Sequence, residues 1–257
     1  SPTWRYYDQV GKRGCTYGTH SLGPVLQWFG ERVVTVSCMG TGARTDPEHP
    51  MDDTVLMNCV TESGALIKIR LDMMSNRPHL ADYYSLQGTK GCYEAPRGFG
   101  AKPKIWLQDH SDGVEWRSLW DLSDEFMPEI WKNPPEEARR AGHGGGDYYT
   151  VREFVDAILN DTDPPIDIWD TLNFTLPGLI SEQSIIQGGA ALPVPDPHHD
   201  RPRPQRPLRR HPDQSHQLCG RGRGHGPGHA PAPSRGQRAH VGHGELAGAQ
   251  VRSLNQS

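Results

Sequence analysis

The sequence predicts an α+β fold: an open, mainly antiparallel β-sheet with helices packed on one face, followed by a disordered tail. Three observations carry that expectation. Three β-branched-rich runs lie close together in the first third of the chain, separated by turn residues. Two long helical patterns come after them instead of alternating with them. A composition break near Asp196 then divides an acidic body that holds every Phe, Trp and Tyr from a basic segment that holds none.

The runs are Glu31 to Met39, Thr54 to Thr61 and Ala65 to Met73, and Glu62-Ser63-Gly64 between the last two is a hairpin turn signal, so these read as neighbouring antiparallel strands. Tyr83 to Gln87, Gly91 to Glu94 and Ile105 to Gln108 read as further short strands, with Gly88 and Gly91 marking turns. Ahead of the strands, Leu22 to Phe29 reads as a short helix with Pro24 in its first turn. From Tyr148 to Asn160 the residues Val151, Phe154, Val155, Ile158 and Leu159 recur at helical spacing, one stripe of an amphipathic helix that Asp147 is placed to cap. A second long helix spans Asp167 to Gln187, with Asp167 at its start, Gly188-Gly189 after its end and Pro177 expected to kink it.

The first 196 residues form one unit and residues 197–257 another. From Pro197 onward there are ten Arg, no Lys and three acids, a balance of about +7, while the remainder balances near −11. Such a tail cannot bury enough apolar surface to offset its chain entropy. Three readings of it compete. A nucleic-acid arm would use the arginines on phosphates, but the segment has no aromatic residue for base stacking, which argues against nucleic acid as a partner. His198, His199, His225 and His229 could take up metal without implying a fixed geometry. The favoured reading is out-of-frame translation of a GC-rich gene, which yields Arg, Pro, Gly, His and Ala in this proportion.

No run approaches the ~20 apolar residues of a spanning helix and no signal peptide opens the chain, so no membrane partner is expected. The chain starts at Ser1, which predicts a natural start further upstream. The five cysteines, Cys15, Cys38, Cys59, Cys92 and Cys219, form no C-x-x-C pair and read as reduced, mostly buried thiols.

The chemistry concentrates in two segments. In Gly14-Cys15-Thr16-Tyr17-Gly18-Thr19-His20-Ser21-Leu22-Gly23-Pro24, a Tyr and a His three apart at a helix start could face one cleft. His titrates near neutrality and Tyr near 10, a workable pair for moving protons to and from sugar hydroxyls, although a lone His20 is as readily a hydrogen-bonded structural residue. In Gly142-His143-Gly144-Gly145-Gly146-Asp147, the glycines invite close approach to His143, and Asp147 is open to two readings, helix cap or site residue. Lys90 reads as a solvated charge. Tyr83, Tyr84, Trp106, Trp116, Trp120 and Trp131 offer core packing or, for some, a sugar-stacking surface. His79 and His110 have no assigned role.

G-x-x-Y-x-T-H-x-L-G-P, then Leu86-Gln87-Gly88-Thr89-Lys90-Gly91, then Gly142 to Asp147 occur in an order that resembles the C-terminal domain of the Gfo/Idh/MocA oxidoreductase family. The nearest branch is that of the NAD-dependent α-N-acetylgalactosaminidases of glycoside hydrolase family 109 and their uncharacterised relatives. The resemblance implies an N-terminal Rossmann domain that holds the dinucleotide and a C-terminal sheet domain that supplies substrate contacts and a dimer surface. It also implies a held NAD that oxidises the sugar at C3 and acidifies the C2 proton; the leaving group is eliminated, water adds, and the cofactor is restored. On this resemblance Tyr17 and His20 are the catalytic positions for substrate contact and proton transfer, and His143 and Asp147 bind or wall the sugar. Gly18, where the glycosidases usually carry Pro, and Cys15, where they favour Asn, are departures that leave the substrate open.

No G-x-G-x-x-G follows a strand and opens a helix: Asp46-Pro47 and Pro50 rule out a helix after Gly40-Thr41-Gly42. The expectation is therefore a C-terminal part of a two-domain enzyme ending near Val194-Pro195-Asp196, with NAD in the full-length parent and no cofactor bound by this chain alone. Two function classes follow. One is the substrate-binding and catalytic half of an NAD-dependent sugar-active enzyme, inactive by itself, with a carbohydrate or glycoside as ligand. The other is a non-catalytic binding or oligomerisation module that self-associates through its sheet face. The compartment is open, because an export signal of the twin-arginine kind would lie upstream.

Overall fold

The computed structural model describes residues 11–75, 82–98 and 100–198, together with the backbone of a strand at 249–253. In chain order the main elements are α1 (Thr19–Phe29), β1 (Val33–Gly40), β2 (Thr54–Thr61), β3 (Leu66–Asp72), β4 (Asp82–Tyr83), β5 (Ser85–Gln87), β6 (Gly91–Glu94), β7 (Lys104–Leu107) and β8 (Arg117–Ser118). Three short helices follow, α2 (Ser123–Phe126), α3 (Glu129–Lys132) and α4 (Glu136–Arg140), then α5 (Gly146–Leu159), α6 (Ile168–Ile186), β9 (Leu192–Pro193) and β10 (Ala249–Ser253). The fold is α+β, with open sheets that are antiparallel in all but one pairing.

The larger sheet has the order β4-β10-β3-β2-β1-β9, and the smaller one β5-β6-β7-β8. Alternation decides which face of the larger sheet is covered. Val55, Met57, Cys59 and Thr61 on β2 are buried in steps of two, and Ile67, Ile69 and Leu71 on β3 follow the same period. On β1 the period slips once: Val33 is buried, the register shifts between Val33 and Thr35, and Val36 and Cys38 then resume the inward face. This face packs under α6, which lies against β1, and under α1, which lies against α6. Leu22, Val25 and Leu26 of α1 and Ile185 of α6 close the core.

α6 begins as the sequence predicts. The Asp167 carboxylate accepts from the backbone N–H groups of Trp169 and Asp170 at 2.9 Å, and Asp170 reaches back to the Asp167 amide, a reciprocal capping box. Gly188 and Gly189, both at positive φ, end it, and the helix runs through Pro177 without interruption. α1 differs from expectation. It starts three residues early, at Thr19, so Pro24 sits inside the helix and deprives the His20 carbonyl of its usual amide donor. The Tyr84 hydroxyl takes that place, donating to the His20 oxygen at 2.9 Å.

Four other differences have physical causes. The run Tyr83 to Gln87 is not one strand, since β4 joins the larger sheet and β5 the smaller, with Tyr84 as the hinge between them. Asp147 does not cap α5. Gly145 occupies the N-cap with φ +101°, a conformation open to glycine, and Asp147 falls in the first turn, where its charge still suits the helix dipole. The stripe on α5 is helical but uncovered: Val151, Phe154, Val155, Ile158 and Leu159 are all exposed, and only Ala157 is buried. Finally, β10 pairs in parallel with β3 and antiparallel with β4, so these five residues of the basic segment are a strand. The unpaired N–H and C=O row along β3 supplies the reason. The rest of that segment beyond His198, including Cys219, His199, His225 and His229, lies outside the described residues, as does His79.

Candidate functional site

The turn from Gly14 to Gly18 rests directly on the backbone of α6. Cys15 N–H donates to Ser181 Oγ at 2.7 Å, and that hydroxyl donates on to the Gly178 carbonyl at 2.6 Å. A Cβ at Gly178 would come within 2.6 Å of the Cys15 oxygen, so the close approach requires glycine on the helix. Gly14 is required twice over, by its φ of +86° and by Ser181 Oγ, which would lie 2.6 Å from a Cβ. Gly18, with φ −70°, has the angle that a proline imposes, but its N–H bonds the Cys15 carbonyl at 3.0 Å. A proline at this position would keep φ and lose that hydrogen bond.

This seating brings Tyr17 and His20 together. Their rings stack with centroids 4.5 Å apart and planes 24° from parallel, and Tyr17 Oη lies 3.4 Å from His20 Nε2, the outer limit of a hydrogen bond. With Nε2 unprotonated the phenol donates to it; with Nε2 protonated the direction reverses. The pair stands half-buried to exposed at the N-terminal end of α1, so both polar atoms are open to a ligand.

His143 and Asp147 form a second pair, with His143 Nδ1 2.8 Å from Asp147 Oδ1 and both side chains mostly exposed. The backbone around them is unusual: His143 has φ +53°, in the left-handed region, and Gly144 and Gly145 are also positive. Asp147 Oδ2 occupies the space that a Cβ on Gly142 would need, at 2.4 Å. The loop is fastened from below, where Gly145 lies against the Ala138 carbonyl of α4 and the Tyr149 hydroxyl donates to the Ile130 carbonyl of α3. Among the described residues no hydrogen bond, ion pair or ring contact joins this pair to Tyr17 and His20.

Tyr84 is the neighbour of the site that sequence reasoning left among the aromatics. It holds the His20 carbonyl and meets Trp28 edge-on at 5.2 Å, and Pro24 was the available signal, since a proline inside a helix frees a carbonyl four residues back. Tyr83 is buried, whereas Trp116, Trp120 and Trp131 are exposed. His110 lies 3.1 Å from Glu125, an ordinary exposed pair. Burial pushes the thiols of Cys15, Cys38 and Cys59 up, the last two to about 12, which keeps them neutral. Among the described residues no cluster of His, Cys, Asp or Glu could hold a metal ion, and no helix is long and apolar enough to cross a membrane. Gly40-Thr41-Gly42 links the antiparallel pair β1 and β2 and opens no helix, so these residues do not fit a dinucleotide.

The sequence pattern of the glycosyl hydrolase 109 C-terminal domain matches residues 43–201, well over half of the chain. The chain belongs to the glycosyl hydrolase 109 C-terminal domain family. The matched range holds His143 and Asp147 and begins after Tyr17 and His20. Two relatives cover more of the chain than this pattern does. A glycosyl hydrolase family 109 protein of Stenotrophomonas maltophilia is 28% identical over 214 residues, 75% of this chain and 46% of its own. An α-N-acetylgalactosaminidase of Tannerella forsythia is 27% identical over 221 residues, 75% of this chain and 44% of its own. The family 109 chain described here thus spans less than half the length of the curated relatives it matches. Among solved structures, an oxidoreductase domain protein of Kribbella flavida overlays with a TM-score of 0.55 at 19% identity, covering 69% of this chain and 48% of that one. A levoglucosan dehydrogenase in complex with NADH and levoglucosan overlays at 0.54 and 16% identity, covering 69% and 49%. These two likenesses establish the fold.

Proposed function

We propose that this chain supplies the sugar-binding and proton-transferring half of an NAD-dependent, sugar-active enzyme, either a glycosidase of the family 109 kind or a sugar oxidoreductase. The observation that carries the reading is the stacked Tyr17 and His20 pair, open to solvent with its phenol and imidazole nitrogen side by side. Tyr17 and His20 would bind sugar hydroxyls and pass a proton between them. His143 and Asp147 would contribute a wall, with Asp147 orienting the imidazole through Nδ1 and leaving Nε2 for the ligand. The nucleotide, on this reading, is held by another part of the parent protein, and this chain by itself is inactive. On this reading residues 1–196 are the substrate domain, and the Arg-rich remainder is an appendage.

Calorimetric titration with N-acetylgalactosamine tests it: weak, saturable binding that His20→Ala abolishes supports the assignment, and binding unchanged in that variant removes His20 from the site. A parallel NAD titration should give no heat of specific binding. A second reading, a self-associating module without catalysis, draws on the outer face of the larger sheet, where Met39, Leu56 and Leu66 are exposed. Sedimentation that shows a dimer dissociated by Leu56→Lys, with no sugar binding at any concentration, would favour it.

A further inference from the structure

Asp52, just before β2, is a carboxylate with a fully buried side chain, and two other segments converge on it. Arg13 approaches with Nη2 2.8 Å from Oδ1 and Nε 3.3 Å from Oδ2. The Gly14 N–H donates to Oδ2 at 3.3 Å, and the Gly42 N–H donates to Oδ1 at 2.7 Å. Gly40 makes room for it, since a Cβ there would meet Oδ1 at 2.2 Å. Arg13 is also tied from the other side, its own N–H donating to Glu182 of α6 at 3.2 Å. A buried carboxylate is stable only when such donors replace its water, and here two of the four hydrogen bonds come from Arg13 and one from Gly14. Residues 13 and 14 are the first residues of the turn that presents Tyr17 and His20.

We propose that Asp52 is a positioning residue for the Tyr17 and His20 pair: it anchors the entry of their turn to the sheet while Ser181 and Gly178 anchor it to α6. This rests on the reading of Tyr17 and His20 as the sugar-facing groups, although Asp52 itself touches no ligand. The β1 to β2 connection and the candidate site are thereby one mechanical unit. A change in the connection is passed to the pair through the carboxylate.

The test uses the whole chain, isotopically labelled, with Asp52→Asn and, should that variant not fold, Arg13→Gln, whose native side chain is already partly exposed. Amide hydrogen exchange at Gly14, Cys15 and Gly18 is expected to quicken roughly tenfold or more, the loss of one charge-assisted bond, with β2 and β3 amides unchanged. The His20 ring protons should lose the ring-current shift imposed by the stacked Tyr17 while the fold persists by circular dichroism. A purely structural role would lower the melting temperature, quicken exchange everywhere and leave the His20 signals alone below the transition; that outcome overturns the proposal. Neither readout involves sugar. If wild type does not bind N-acetylgalactosamine the functional reading fails and the clamp stands, and if Asp52→Asn binds it as wild type does with His20 unmoved, the clamp fails and the reading stands.

Discussion

The Tyr84 hydroxyl donates to the His20 carbonyl at 2.9 Å and fills the place of the amide that Pro24 lacks. One residue of the hinge between the two sheets thus completes the hydrogen bonding of the helix that carries the candidate site. Tyr84→Phe keeps the ring against Trp28 and removes this bond. The expected cost is about 1 kcal/mol in urea denaturation, with weaker sugar binding because the first turn of α1 loosens. Unchanged stability and affinity would mean that water replaces the hydroxyl without loss.

Acid stability should follow two carboxylates. Burial raises the pKa of Asp72, but the hydroxyl and amide of Ser75 and the amide of Met74 outweigh it and bring the group down to about 2. Burial likewise opposes ionisation of Asp52, and the bonds from Arg13, Gly42 and Gly14 leave its pKa below the ordinary value. A depressed carboxylate stabilises the fold above its unfolded pKa, near 4, and that contribution fades as pH falls through the folded value. Stability should therefore drop between about pH 4 and 2, by about 2 kcal/mol for Asp72. Asp72→Asn should flatten this part of a pH titration of the unfolding free energy; a slope identical to wild type assigns the drop elsewhere.

Gly178→Ala pushes a methyl into the Cys15 carbonyl. Overpacking of this kind costs about 1–3 kcal/mol, and the Tyr17 turn must lift from α6 to relieve it. Thermal denaturation measures the first effect and sugar affinity the second. A variant as stable as wild type would show that the turn is not seated where Gly178 meets it.

Asp147→Ala separates site from scaffold. The His143 pair is largely exposed, and such pairs contribute little, at most about 1 kcal/mol, so stability should hardly change. Sugar affinity should fall markedly if Asp147 orients His143 toward a ligand. An unaltered affinity would reduce the pair to a feature of the loop.

The uncovered stripe of α5 gives a contrast within one protein. Phe154→Ser should change the unfolding free energy by less than about 0.5 kcal/mol, because Phe154 is 60% exposed. Met57→Ala, fully buried at the sheet centre, should cost about 2–5 kcal/mol. A large, concentration-dependent loss from Phe154→Ser would instead show that another molecule covers this helix in solution.

The sequence by itself determined the elements whose signal is local. β-Branched-rich runs bounded by turn residues made β1, β2 and β3 legible, Asp167 and Gly188 marked the ends of α6, and the Tyr17 and His20 spacing marked a shared face, because each depends on a few neighbouring residues. The tertiary structure alone decided what depends on distant partners. Asp52 became a buried anchor only because Arg13 and Gly14 arrive from 38 or 39 positions away. Tyr83 and Ser85 parted into different sheets because their strand neighbours differ. The α5 stripe predicts a buried face that the described fold leaves open: amphipathic spacing records that a face is apolar, and what lies against it is set by the rest of the molecule.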